Sequence, residues 1–221
     1  ESMQELYEPF VGKLNPSADI EALRKREVVE GVVDKTISRL IYGADKSVVG
    51  EFRGDTILVR DIIVKYIMRG VLRYDASCEG FTIQGLEDDV EYEYPISNGR
   101  HVKLYGRADR IDQRADGSLQ IIDYKSGNVP HLEFNGIDGL FHGLAHERVS
   151  NIFQTLLYSM MLHRSRRVES MPTLYFASKM LGEDYSPNIV DKSSGEVVER
   201  YTAIAKDFEC ELSNVLEELF D

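Results

Sequence analysis

Gly106-Arg107-Ala108-Asp109-Arg110-Ile111-Asp112, then Gln113-Arg114-Ala115-Asp116-Gly117-Ser118, then Leu119-Gln120-Ile121-Ile122-Asp123-Tyr124-Lys125-Ser126-Gly127, reads as a β-hairpin with carboxylates on both arms. Asp116-Gly117 is a turn signal between two runs that can form strands. Turn length decides the chemistry. A three-residue loop, Ala115-Asp116-Gly117 with Gly117 left-handed, pairs Arg114 with Ser118 and sets Asp109 opposite Asp123. Directly paired residues share a face, with Cβ atoms roughly 4.5–5.5 Å apart, a workable separation for two carboxylates around one divalent cation. A two-residue Asp116-Gly117 loop slips the register by one and sends the aspartates to opposite faces. Lys125 lies two residues beyond Asp123 and shares its face under either register.

Working outward from the hairpin, strands are expected at Phe81-Thr82-Ile83, Val90 to Ile96 and Val102 to Tyr105, with Ser97-Asn98-Gly99 as a turn. Before them, helical spacing predicts a short helix over 1–10, a long one from Ile20 to Tyr42 (Leu23, Val28, Val32, Ile37 and Ile41 inward) and another from Asp55 to Arg73. Ser17 is a plausible N-cap and Gly43 a natural stop. The basic cluster Arg24-Lys25-Arg26 reads as a solvated helix face. After the hairpin, 128–147 is loop-like, and His142 and His146 have the i, i+4 spacing of a zinc pair, with no third ligand evident. Val149 to His163 is a helix whose stripe is Val149, Ile152, Phe153, Leu156, Leu157 and Met160, with Gln154 and Tyr158 together at one border. Arg164, Arg166 and Arg167 cluster at its end, where cations suit the dipole. Met171 to Ser178 is a buried-type strand, and 196–220 a final helix.

This order predicts an α/β fold in which a helical crossover reaches the last strand of a mixed sheet. One domain over 1–221 is expected: helical over 1–78, a core at about 80–180, and the C-terminal helix 196–220. The opening Glu1-Ser2-Met3 reads as the inside of a helix, hence as a fragment of a larger protein. No apolar run approaches the ~20 residues of a membrane span and no signal peptide is visible. Cys78 and Cys210 stand apart, as lone thiols of a reducing compartment do, so a cytoplasmic location is expected. With 38 acidic and 26 basic residues the net charge is −12, which argues against adhesion of the whole surface to nucleic acid but permits a local basic groove.

Two aspartates near a lysine, with no serine–histidine or cysteine–histidine grouping, suggest metal-assisted phosphodiester hydrolysis. Carboxylates hold Mg²⁺, which prefers oxygen ligands and keeps several waters. The backbone carbonyl of Tyr124 is a further candidate ligand. Lys125 could orient or deprotonate the metal-bound water, or offset charge on the phosphate. The plain alternative is a surface hairpin in which Lys125 merely pairs with an aspartate.

Gly106 to Asp112 followed by Ile121 to Gly127 resembles the nuclease core of the PD-(D/E)XK superfamily. More narrowly, it resembles the RecB-like branch, the carboxy-terminal nuclease domains of RecB and AddB helicase–nucleases. Gln154-Thr155-Leu156-Leu157-Tyr158 matches that branch's Gln-x-x-x-Tyr signature, and the matched span runs from about Tyr92 to Phe176. The resemblance implies a restriction-endonuclease-like αβββαβ core with extra flanking helices. It implies Asp109 and Asp123 as metal ligands, Lys125 as the catalytic lysine, and Gln154 and Tyr158 as site support or strand-positioning groups. Glu93 sits where some relatives carry an acidic residue. The implied activity is a Mg²⁺-dependent DNA exonuclease of repair or recombination, Mn²⁺ substituting, with DNA as partner and a helicase domain or subunit as a further one.

Two departures temper this. Relatives usually carry a metal-site histidine in the first core helix, and this sequence opens where the residues just after it are expected. Some relatives hold an iron–sulfur cluster, whose cysteine pattern Cys78 and Cys210 do not fit. A catalytically impaired DNA-binding or scaffold domain is therefore the alternative, and a hydrolase of small phosphate esters a third.

Overall fold

Apolar side chains at helical spacing build the first of two units, which comprises Glu1–Leu86, Ser126–Asn128 and Phe176–Ser186. The computed structural model describes residues 1–127, 132–143 and 149–220. The first unit holds α1 (Ser2–Tyr7), β1 (Leu14–Asn15), α2 (Ser17–Leu23), α3 (Arg26–Tyr42), α4 (Lys46–Val49), α5 (Asp55–Tyr66), a π-helical turn at Ile67–Val71, and α6 (Leu72–Ser77). Its last element is the start of β2 (Phe81–Pro95), against which β1 pairs antiparallel. Tyr7, Ile20, Val29, Val33, Leu72 and Ile83 are fully buried in its core, each side chain contributing about 1.5–3 kcal/mol.

The expected helix from Ile20 to Tyr42 is two helices. Arg24 donates to the Met68 carbonyl (3.2 Å) and to Glu21 (2.6 Å), while Lys25 turns extended. Restarting at Arg26 shifts the phase, so Val29, Val33 and Ile37 face inward and Ile41 is 58% exposed. The second long helix likewise passes through the π turn, and its leading apolar residues Ile57, Leu58 and Ile62 face outward.

The second unit comprises Glu87–Lys125, Val129–Tyr175 and Pro187–Asp221. It carries the rest of β2, then β3 (His101–Gln113), β4 (Leu119–Lys125), β5 (Glu133–Phe134), α7 (Gly136–His142) and α8 (Ser150–Arg166). Next come β6 (Ser170–Phe176), β7 (Val190–Asp191), β8 (Glu196–Val197) and α9 (Ala205–Phe220). β2 is one strand rather than the two expected, continuing through Glu87, which takes a positive φ of 52°. The sheet order is β1-β2-β3-β4-β6.

The hairpin takes the three-residue loop. Gly117 has φ +83°, Arg114 N–H donates to the Ser118 carbonyl (2.9 Å), and Arg110 pairs with Ile122 and Ile111 with Ile121. No atom stands near a side chain at Gly117, so Gly117→Ala tests backbone strain alone. Equilibrium denaturation is expected to register a loss of about 1–2 kcal/mol.

From β4 the chain crosses over through α8 and returns in β6. Leu119 N–H donates to the Glu169 carbonyl (2.8 Å) and the Thr173 hydroxyl to the Ile121 carbonyl (2.9 Å), so β4 and β6 run parallel and the sheet is mixed. All seven residues of β6 are buried, as expected of a parallel strand covered on both faces. The expected helix 196–220 begins only at Ala205, because Glu196–Val197 pairs antiparallel with Val190–Asp191 and Tyr201–Ala203 forms a 3₁₀ turn. Phe208, Leu212 and Leu216 then face inward at helical spacing. The mixed sheet with flanking helices is the architecture expected. Among the described residues no helix is long and apolar enough to cross a membrane.

Candidate active site

The register that pairs Arg110 with Ile122, carried one residue on, sets Asp109 opposite Asp123. Alternation along a strand then gives Asp109, Asp123 and Lys125 one face of the hairpin. Asp109 is anchored by its Oδ2, which accepts the Tyr124 backbone N–H at 2.7 Å. Asp123 is only 3% exposed. Burial raises its pKa to about 6, against the pull of Lys125 and with a further push from the Asp109 charge. Lys125 Nζ stands 2.6 Å from Asp123 Oδ2 and pairs with it. A carboxylate this deeply buried is costly unless a charge partner satisfies it, and Lys125 is that partner.

Lys125 is held from a second side. Its Nζ donates to Gln154 Oε1 (3.3 Å), and Gln154 Nε2 donates to the Tyr158 hydroxyl (2.7 Å). An ammonium can only donate, so the amide oxygen must face Lys125 and the amide nitrogen Tyr158. The helical spacing of Gln154 and Tyr158 on α8 makes that relay possible. The structure thus joins Asp109, Asp123, Tyr124, Lys125, Gln154 and Tyr158 through direct contacts.

The opposite face of the hairpin carries groups that sequence reasoning did not single out. Arg110 is fully buried, its guanidinium forked onto the Asp112 carboxylate (2.8 and 2.5 Å) and donating to the Tyr124 hydroxyl (3.1 Å). The Tyr124 ring packs edge-on against Tyr175 of β6, with centroids 5.7 Å apart. Opposite charges two apart in a strand share a face, and that spacing was the available signal. The clamp fixes the backbone of Tyr124, the residue between Asp123 and Lys125.

Other candidates lie apart from this cluster. Glu93 is exposed on β2. His142 is paired with Glu211 at 2.7 Å, and His146 lies outside the described residues. Arg164 is forked onto Glu209 rather than left free at the helix end. Arg24 and Arg26 pair with Glu21 and Glu30, as a solvated helix face does.

Among the described residues no group of three or more His, Cys, Asp or Glu forms a ready-made metal cage. Two carboxylates suffice for Mg²⁺, which leaves much of its octahedral shell to water. Asp109 and Asp123 supply the carboxylate oxygens that such a cation takes, so the donor set fits a hard divalent ion. A family model for the PD-(D/E)XK nuclease superfamily matches residues 1–221. No curated protein matches the chain.

Proposed function

The chain belongs to the PD-(D/E)XK nuclease superfamily, and from that membership we propose that it is a Mg²⁺-dependent DNA exonuclease of repair or recombination. The observation that carries the reading is the register pairing Arg110 with Ile122, which carried one residue on sets Asp109 opposite a buried Asp123 paired with Lys125. Asp109, Asp123 and the Tyr124 carbonyl would hold Mg²⁺ or Mn²⁺, which when bound polarises a phosphoryl oxygen and activates a coordinated water. Lys125 donates to the scissile phosphate and offsets the charge that grows there during attack. Gln154 and Tyr158 keep the ammonium aimed, so little reorganisation is left for the reaction itself. The exonuclease reading, the RecB-like branch and a helicase domain or subunit as partner rest on the three motifs at Gly106–Asp112, Ile121–Gly127 and Gln154–Tyr158.

Linear and covalently closed circular DNA, incubated with the purified chain and Mg²⁺, separate the possibilities. Linear DNA is expected to be degraded and the circle spared, with Mn²⁺ substituting and chelation abolishing the reaction. Cutting of the closed circle would replace the exonuclease assignment by an endonuclease one. DNA binding without turnover would favour a scaffold role, and release of phosphate only from small esters would move the substrate class altogether.

A further inference from the structure

Gly106 precedes the first carboxylate by three residues, and its backbone torsions lie outside the left-handed region that calls for glycine. What glycine supplies there is space. A Cβ at Gly106 would stand 2.3 Å from Cε1 of Tyr158 and 3.0 Å from both its Cζ and its hydroxyl oxygen. Tyr158 is itself 6% exposed, so its ring has little room to withdraw. The edge of the ring occupies the space beside a strand position that has no side chain, and its hydroxyl is the group that accepts from Gln154.

We propose that Gly106 is a positioning residue for Lys125: the absent side chain is the seat of the Tyr158 ring, and the seat sets the aim of the ammonium. The link runs from Gly106 to Tyr158 by contact, from Tyr158 to Gln154 by a 2.7 Å hydrogen bond, and from Gln154 to Lys125 at 3.3 Å. A methyl at Gly106 forces the ring outward by about an ångström before ordinary contact is restored. The hydroxyl moves with the ring, Gln154 loses the partner that fixes its amide, and Lys125 loses its second restraint. This close approach thereby helps to fix the helix that orients the lysine against the strand that delivers Asp109. The catalytic consequence rests on the role given to Lys125 above; the structural one does not.

The test compares Gly106→Ala, Tyr158→Leu and the double variant, reading Lys125 directly by trace acylation of the folded chain and mass spectrometry. Each single substitution is expected to raise Lys125 labelling severalfold relative to the other lysines, and the double no further than either. On linear DNA, kcat is expected to fall roughly 10–100-fold with KM unchanged, again without additivity. Unchanged Lys125 labelling in Gly106→Ala, or fully additive effects in the double variant, would overturn the proposal. If Gly106→Ala does not fold, the double variant decides. Recovery of folding once the ring is trimmed supports the seat, and continued failure refutes it. Labelling needs no turnover, so a wild-type chain that cleaves nothing would defeat the nuclease reading while leaving the seat of the Tyr158 ring testable by the same labels.

Discussion

Asp123→Asn is expected to lower kcat by about a thousandfold or more while raising the stability of the metal-free chain. The loss follows, on the proposed assignment, from removing one of the two carboxylates, Asp109 and Asp123, that would hold the cation. Lewis-acid stabilisation of the transition state amounts to several kcal/mol, and about 4 kcal/mol is already a thousandfold. The gain follows from the direction of the pKa. Burial raises the Asp123 pKa to about 6 in the folded chain, against ~3.9 for an unperturbed aspartate. Above both values the group is ionised in either state, and the folded state bears the larger penalty for that charge. The penalty is relieved as pH falls through the folded value and is absent below the unfolded one. A neutral asparagine of the same shape removes it, so denaturation at pH 7.5 in chelator is expected to gain about 1–3 kcal/mol. Added Mg²⁺ should raise the melting temperature of the wild type and leave the variant unmoved. Equal kcat in the two proteins would remove Asp123 from the site.

Arg110→Met carries the largest expected cost in stability. Its guanidinium and the Asp112 carboxylate are both shielded from solvent, with side chains 1% and 2% exposed. Deleting one partner breaks the forked pair and leaves the other charge buried without it, a loss of about 3–5 kcal/mol, out of a total that for most domains is only about 5–15 kcal/mol. Removing the other charge as well, in Arg110→Met with Asp112→Leu, should return most of that loss, because two apolar side chains of similar bulk avoid the desolvation of both ions. Urea denaturation of the two singles and the double checks this, and equal destabilisation in the double and in Arg110→Met would contradict it. Whatever stability returns, the Tyr124 hydroxyl has lost its donor Arg110, so activity should recover less completely than the fold.

The hairpin was legible because its decisive interactions are local. Asp116-Gly117 offered two loops, and the family motifs favoured the register that the structure has. The i, i+4 spacing of Gln154 and Tyr158 likewise carried directly into a hydrogen bond. Elements decided by distant partners were not legible. Nothing at Arg24-Lys25 breaks a helix by propensity; the break is accompanied by a bond to a carbonyl 44 residues away. The run from Gln84 to Asp89, between two strands expected separately, is mostly polar, yet a ladder is made by backbone groups and tolerates such side chains. Val197, Tyr201 and Ile204 extend the spacing of α9 backwards, while strand pairing at Glu196–Val197 claims the backbone first. The burial of Arg110 was hidden for a similar reason, since a charged residue in a strand ordinarily faces water.

The alternation of the hairpin separates two kinds of failure. Its odd-numbered polar positions, Asp109, Asp123 and Lys125, make up the proposed catalytic face, whereas Arg110, Asp112 and Tyr124 form the buried clamp. A lesion at the first set is expected to silence the molecule and leave it standing; a lesion at the second is expected to topple it. On that assignment a catalytically silent but intact descendant is one substitution away, available to be kept for whatever the fold binds.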